Sequence, residues 1–151
     1  MNKKKSTIPT SSPVFWSLLV VNFFVLSSCT EGRISQCQKI IFITKNMEEI
    51  SQKSRQTQDL DAVLKVADAF ETSAESLKKL NLADPKLVEY QAQLAKIYQG
   101  NAKSTRQFVL AFKNRDIPGV TLAKQEVQIL GEQEQQLVGK INQYCYLRQI
   151  Q

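Results

Sequence analysis

The chain has 151 residues, 42% of them hydrophobic and 23% charged, with five Gly, four Pro, three Cys and no His. That length suits one domain with a sizeable core, and the composition is neither disordered nor of low complexity. Without His there is no imidazole ligand for zinc, no Ser-His or Cys-His nucleophile pair and no imidazole pH sensor. The formal net charge of +6 includes Lys3, Lys4 and Lys5; residues 29–151 alone hold 17 basic and 14 acidic side chains, a net of +3. The two signs interleave, whereas a nucleic-acid binder concentrates basic residues and adds aromatics for single strands. No nucleic-acid partner is expected.

Three regions open the chain. Residues 1–13 are polar and basic, residues 14–26 are apolar except for Ser17 and Asn22, and Ser27, Ser28 and Cys29 follow. Thirteen helical residues rise about 20 Å, short of the roughly 30 Å hydrocarbon core. The pattern reads as a secretory signal. Leu26-Ser27-Ser28-Cys29 resembles the lipobox of bacterial lipoprotein precursors. The resemblance implies a signal peptide at 1–28, cleavage before Cys29, acylation of Cys29 with chains such as palmitate, and a lipidated tether at 29–33. It further implies a cell-membrane or outer-membrane protein facing the periplasm or another extracytoplasmic space. Thr30 in place of Asp disfavours inner-membrane retention under the better-known sorting rule. The absence of an Arg-Arg pair favours the general secretion route. An ordinary cleaved signal and an uncleaved anchor are the alternatives.

An odd number of cysteines in a secreted chain needs an explanation. If Cys29 carries lipid, Cys37 and Cys145 remain as a pair that an extracytoplasmic compartment permits to oxidise. Closing that loop of about 108 residues is worth ~4–5 kcal/mol in the chain-entropy model. Two buried, reduced thiols are the other reading.

Residues 34–151 read as helical throughout. The first helix, about 34–54, places Cys37, Ile41, Thr44, Met47 and Ser51 on one stripe, although Ile40-Ile41-Phe42-Ile43 alone would pass for a strand. Asp59 caps a second helix with Leu60, Val63, Leu64, Ala67, Phe70, Ala74 and Leu77 on its apolar face. After a turn at 81–83, Asp84-Pro85 opens a third helix with an acceptor at the cap and Pro at the first position. Its face runs from Leu87 and Tyr90 to Val109 and Phe112, and Gly100-Asn101 midway is a point of fraying or kinking. Residues 116–119 form a turn by composition. The fourth helix, 120 to about 147, keeps a three-four alternation through Val120, Ala123, Val127, Leu130, Glu134, Leu137, Ile141 and Tyr144.

Short connections between long helices predict an all-α, up-down-up-down four-helix bundle. The cysteines agree. Cys37 begins the first helix and Cys145 ends the last, so an even helix count puts both at one end. Three helices would set them at least about 30 Å apart, beyond the reach of a disulfide.

No motif specifies a reaction. Bundle di-metal sites use paired Glu and Glu-x-x-His, and this chain has no His. The acidic pairs Glu48-Glu49 and Asp59/Asp61 are too close in sequence to share a helix face. No enzyme activity, cofactor or metal is expected. Two charge stripes stand out: Asp61, Asp68 and Glu75 with Glu71 on the second helix, and Lys96, Lys103, Arg106 and Lys113 on the third. The basic line is a candidate interaction face for an acidic protein or anionic headgroups, and pairing between adjacent helices is its plainer reading. Glu134 on the seam is a candidate ligand-binding carboxylate, or a residue that bends to solvent. Tyr90, Tyr98, Phe108, Phe112, Tyr144 and Tyr146 line a groove or belong to the core. Residues 29–151 also hold 17 Gln, which make the faces polar without charge.

The stretch from Val66-Ala67-Asp68 through Phe108 is similar to small helical lipoproteins of cyanobacterial type, a resemblance that implies no activity. The expected role is a membrane-anchored, non-catalytic bundle for protein–protein interaction or assembly at an extracytoplasmic membrane surface. A bundle that binds a small molecule or lipid, and a structural envelope spacer, are the alternatives.

Overall fold

A computed structural model describes residues 32–54 and 59–146. The expected signal peptide, Cys29 and the chain end at 147–151 lie outside the described residues. Helices α1 (Arg33–Ser54), α2 (Leu60–Lys79), α3 (Pro85–Lys113) and α4 (Ile117–Tyr146) pack as an up-down-up-down bundle. The α2–α3 and α3–α4 interfaces are extensive and the α1–α4 interface is narrow. Cys37 and Cys145 form a disulfide with a Cα–Cα distance of 6.0 Å, closing the ring of helices at one end.

The caps explain the helix boundaries. Asp59 is extended and its carboxylate accepts from the Asp61 amide at 3.0 Å. Asp84 accepts from the amides of Lys86 and Leu87 at 2.9 and 3.2 Å, with Pro85 behind it needing no amide partner. The turn between α2 and α3 contains no glycine, and two buried glutamines complete it. The Gln36 side-chain oxygen accepts from the amides of Ala83 and Asp84, while the Gln91 side-chain amide donates to the carbonyls of Leu77 and Leu80.

Helix α4 begins three residues earlier than the composition suggests. Ile117, Pro118 and Gly119 form its first turn, where amides have no intrahelical acceptor and proline costs little. The Asp116 carboxylate accepts from the Gly119 amide at 3.1 Å. A Cβ at Gly119 would collide with that carboxylate, so the residue must be glycine for the cap to form. The reversal itself falls on Asn114 and Arg115, the latter with φ 57°.

Gly100-Asn101 does not interrupt α3, which runs through both residues. Gly100 is instead a contact point: a Cβ there would lie 3.0 Å from a Leu130 methyl, so its absence lets α4 approach.

The core is centred on Ile40, Met47, Leu77, Leu87, Leu94, Tyr98 and Ile141, each large apolar side chain contributing about 1.5–3 kcal/mol on burial. On α1 the buried stripe is Gln36, Cys37, Ile40, Thr44 and Met47, so Ile40 takes the place expected for Ile41, and Phe42 is exposed. Among the described residues, the core cluster lies between Cys37 and Cys145. Packing thins toward the end opposite the disulfide. Leu60, Val63, Leu64, Phe108, Val120 and Val127 are only half-buried there. Phe112, expected on the apolar face, is 54% exposed.

Candidate functional site

Two stripes with three-four spacing face each other across α3 and α4. Gln93, Lys96, Gly100, Lys103 and Gln107 lie on α3; Glu126, Leu130, Gln133, Leu137 and Lys140 lie on α4. They border an open groove of about 680 Å³. Leu130 and Leu137 form an apolar floor, and three ammonium groups, the side-chain amides and the single Glu126 carboxylate stand around it. Among the described residues none of Lys96, Lys103 and Lys140 forms an ion pair. The lining therefore offers positive charge and amide hydrogen bonds to an occupant with acidic and polar groups. Lys140 and the glutamines were not singled out in the sequence, where only apolar and like-charged stripes stood out. The signal was present in the Gln93-Lys96-Gly100-Lys103-Gln107 spacing.

The four-residue basic line divides in space. Lys96 and Lys103 border the groove. Arg106, three residues on, turns to α2, where its guanidinium donates to Asp68 at 2.8 Å and Glu71 at 2.5 Å. Those bonds occupy both acids, and the same partners hold the Arg106 guanidinium above its usual range. Exposed pairs of this kind are worth about 0–1 kcal/mol. Lys113 is exposed in the last turn of α3, near the α3–α4 turn. Glu75 pairs within its own helix with Lys78 at 2.8 Å.

Glu134 sits half-buried at mid-height on α4. Burial raises its carboxyl above the usual range, with Glu48 of α1 adding repulsion and Tyr98 opposing the shift. The Tyr98 hydroxyl is buried and pushed upward by desolvation and by the Glu134 charge, yet lies outside hydrogen-bonding geometry. Among the described residues the Asn101 side-chain nitrogen, one turn along, likewise finds no acceptor although buried. Burying such groups without a partner costs about 1–3 kcal/mol each. This polar level interrupts the core at mid-height of α4.

The disulfide end is knit by a third cluster. Asp84 receives Arg33 Nε at 2.8 Å and the Tyr144 hydroxyl at 3.0 Å in addition to its two capped amides. Burial alone would raise the Asp84 carboxyl, but the bonds from Arg33, Leu87, Tyr144 and Lys86 together hold it below the usual carboxylate range. Arg33 also lies over the Tyr144 ring at 4.8 Å, and Lys86 over Tyr90 at 5.0 Å. The aromatic residues thus form no single groove. Tyr90 meets Tyr144 and Tyr98 meets Phe70 edge to face, Phe108 stacks on Phe112, and Tyr146 is exposed.

No protein-family model, no curated protein and no solved structure matches the chain. Among the described residues no group of three or more Cys, Asp or Glu is placed to hold a metal ion. No described helix is long and apolar enough to cross a membrane.

Proposed function

We propose that the chain is a lipid-anchored, extracytoplasmic helical bundle that holds an acidic protein partner in the groove between α3 and α4, without catalysis. The observation that carries this reading is the groove lining, where Lys96, Lys103 and Lys140 surround an apolar floor among side-chain amides. An acidic, partly apolar segment matches that lining in charge and polarity. The anchor half of the reading rests on the lipobox-like Leu26-Ser27-Ser28-Cys29. It is supported by the character of the disulfide end, four residues from Cys29 at Arg33. There Arg33 and Lys86 lie over tyrosine rings and Tyr146 is exposed, groups suited to a headgroup layer.

Cross-linking in native membranes tests the docking half. The triple reversal Lys96→Glu, Lys103→Glu and Lys140→Glu is expected to abolish the principal cross-linked species. Arg106→Glu is expected to leave it in place, because that charge faces α2. Unchanged cross-links in the triple variant would contradict the groove as the docking site.

A further inference from the structure

The turn joining α3 to α4 carries a second surface of different chemistry. Leu110 is 62% exposed, Phe112 54%, Ile117 70% and Leu122 67%. Four large apolar side chains at one end of a bundle cost solubility unless something covers them. Their arrangement limits what can. Leu110 and Phe112 are two residues apart on a helix, about 200° around its axis, so they point to opposite sides of α3. Ile117 opens α4 just past the turn, and Leu122 lies about 140° further round that helix. A flat protein face, which meets the tip from one side, leaves part of the set uncovered. A second copy docking face to face has the same difficulty. A fluid that surrounds the tip covers every one of them.

The charges specify that fluid. Lys113, Arg115 and Lys124 are exposed beside the apolar group. Their long stems reach outward while the ammonium and guanidinium groups stay in the polar layer. On the acidic side, Asp116 is engaged in capping the Gly119 amide and Asp59 in capping α2, while Asp61 at the start of α2 and Glu126, a turn away from Leu122, are exposed. We infer that the α3–α4 tip is an interfacial lipid-binding element, which dips Leu110, Phe112, Ile117 and Leu122 into an anionic bilayer surface while Lys113, Arg115 and Lys124 engage its headgroups. The tip lies at the end of the bundle opposite Arg33 and the disulfide. The tip and an N-terminal anchor therefore meet one bilayer only with the bundle lying along its surface. The inference rests on neither the anchor nor the lysine groove.

Tryptophan fluorescence tests it. The one native tryptophan, Trp16, precedes the bundle, so residues 29–151 with Cys29→Ser and Phe112→Trp report from the tip alone. Vesicles of phosphatidylcholine with phosphatidylglycerol are expected to shift the emission to the blue, and vesicles of phosphatidylcholine alone to do so far less. Changing Lys113, Arg115 and Lys124 to Gln is expected to weaken binding about fivefold for each charge removed. Emission unchanged by the anionic vesicles would overturn the inference. So would a blue shift that grows with protein concentration in the absence of lipid, which would identify a second copy as the occupant. Binding of equal strength to both vesicle types, unaffected by the triple neutralisation, would also overturn it.

Discussion

Tyr144 donates its hydroxyl to the Asp84 carboxylate at 3.0 Å, tying the end of α4 to the start of α3. Arg33 reaches the same carboxylate from the start of α1. One side chain thus caps a helix and joins three of the four at the end closed by the disulfide.

Replacing Asp84 with Asn keeps the size of the cap and removes its charge. Losing a cap costs about 0.5–2 kcal/mol, and the bonds from Arg33 and Tyr144 weaken as well. The folded carboxyl lies below its ordinary value of 3.8. Its stabilisation is therefore complete above the unfolded pKa and lost as pH falls through the lower folded value. Urea unfolding at pH 7 is expected to show Asp84→Asn less stable than the parent, with the difference shrinking under strongly acidic conditions.

Glu134 has the opposite sign. Its folded carboxyl lies above its ordinary value of 4.5, chiefly through burial. The stabilisation it gives is present below the unfolded pKa and lost as pH rises through the folded value. Glu134→Gln is expected to raise the unfolding midpoint at pH 7 and to leave it nearly unchanged near pH 4. Melting curves at the two pH values check both statements.

The glycines of α3 and α4 separate by their surroundings. Gly131 and Gly139 have nothing within 4 Å of an added Cβ, so alanine at either is expected to stabilise by about 0.5–1 kcal/mol through helix propensity. At Gly100 a valine meets Leu130 and is expected to cost about 1–3 kcal/mol by overpacking. Thermal denaturation of the three variants orders them.

Sequence spacing makes the helices, the Asp59 and Asp84 caps and the Cys37–Cys145 closure legible, because each depends on residues a few positions apart or on helix parity. It does not say which face of α3 meets which neighbour. Lys96 and Lys103, seven apart, share a face, but Arg106 rotates onto α2 and meets Asp68 and Glu71. Gln36 and Gln91 were unreadable as caps for a related reason: their partners lie 47 and 14 residues away. Glu134 reads from spacing as a seam residue, while its environment is set by Tyr98 and Glu48 on two other helices. The thin far end is likewise invisible in the apolar pattern, where half-buried Leu60, Val63, Leu64 and Val120 hold the same spacing as the buried residues.

The disulfide is the main staple of the lightly packed α1. Reducing a bond that spans 108 residues removes about 4–5 kcal/mol in the chain-entropy model. The double variant Cys37→Ser, Cys145→Ser is expected to unfold at correspondingly lower urea. Hydrogen exchange in α1 should then rise more than in α3.

Intact mass spectrometry of the protein isolated from native membranes, with and without reduction, tests the tethered bundle most directly. The account predicts the mass of residues 29–151 plus two or three acyl chains, gaining two hydrogens on reduction. An unacylated full-length chain whose mass does not change on reduction would contradict it.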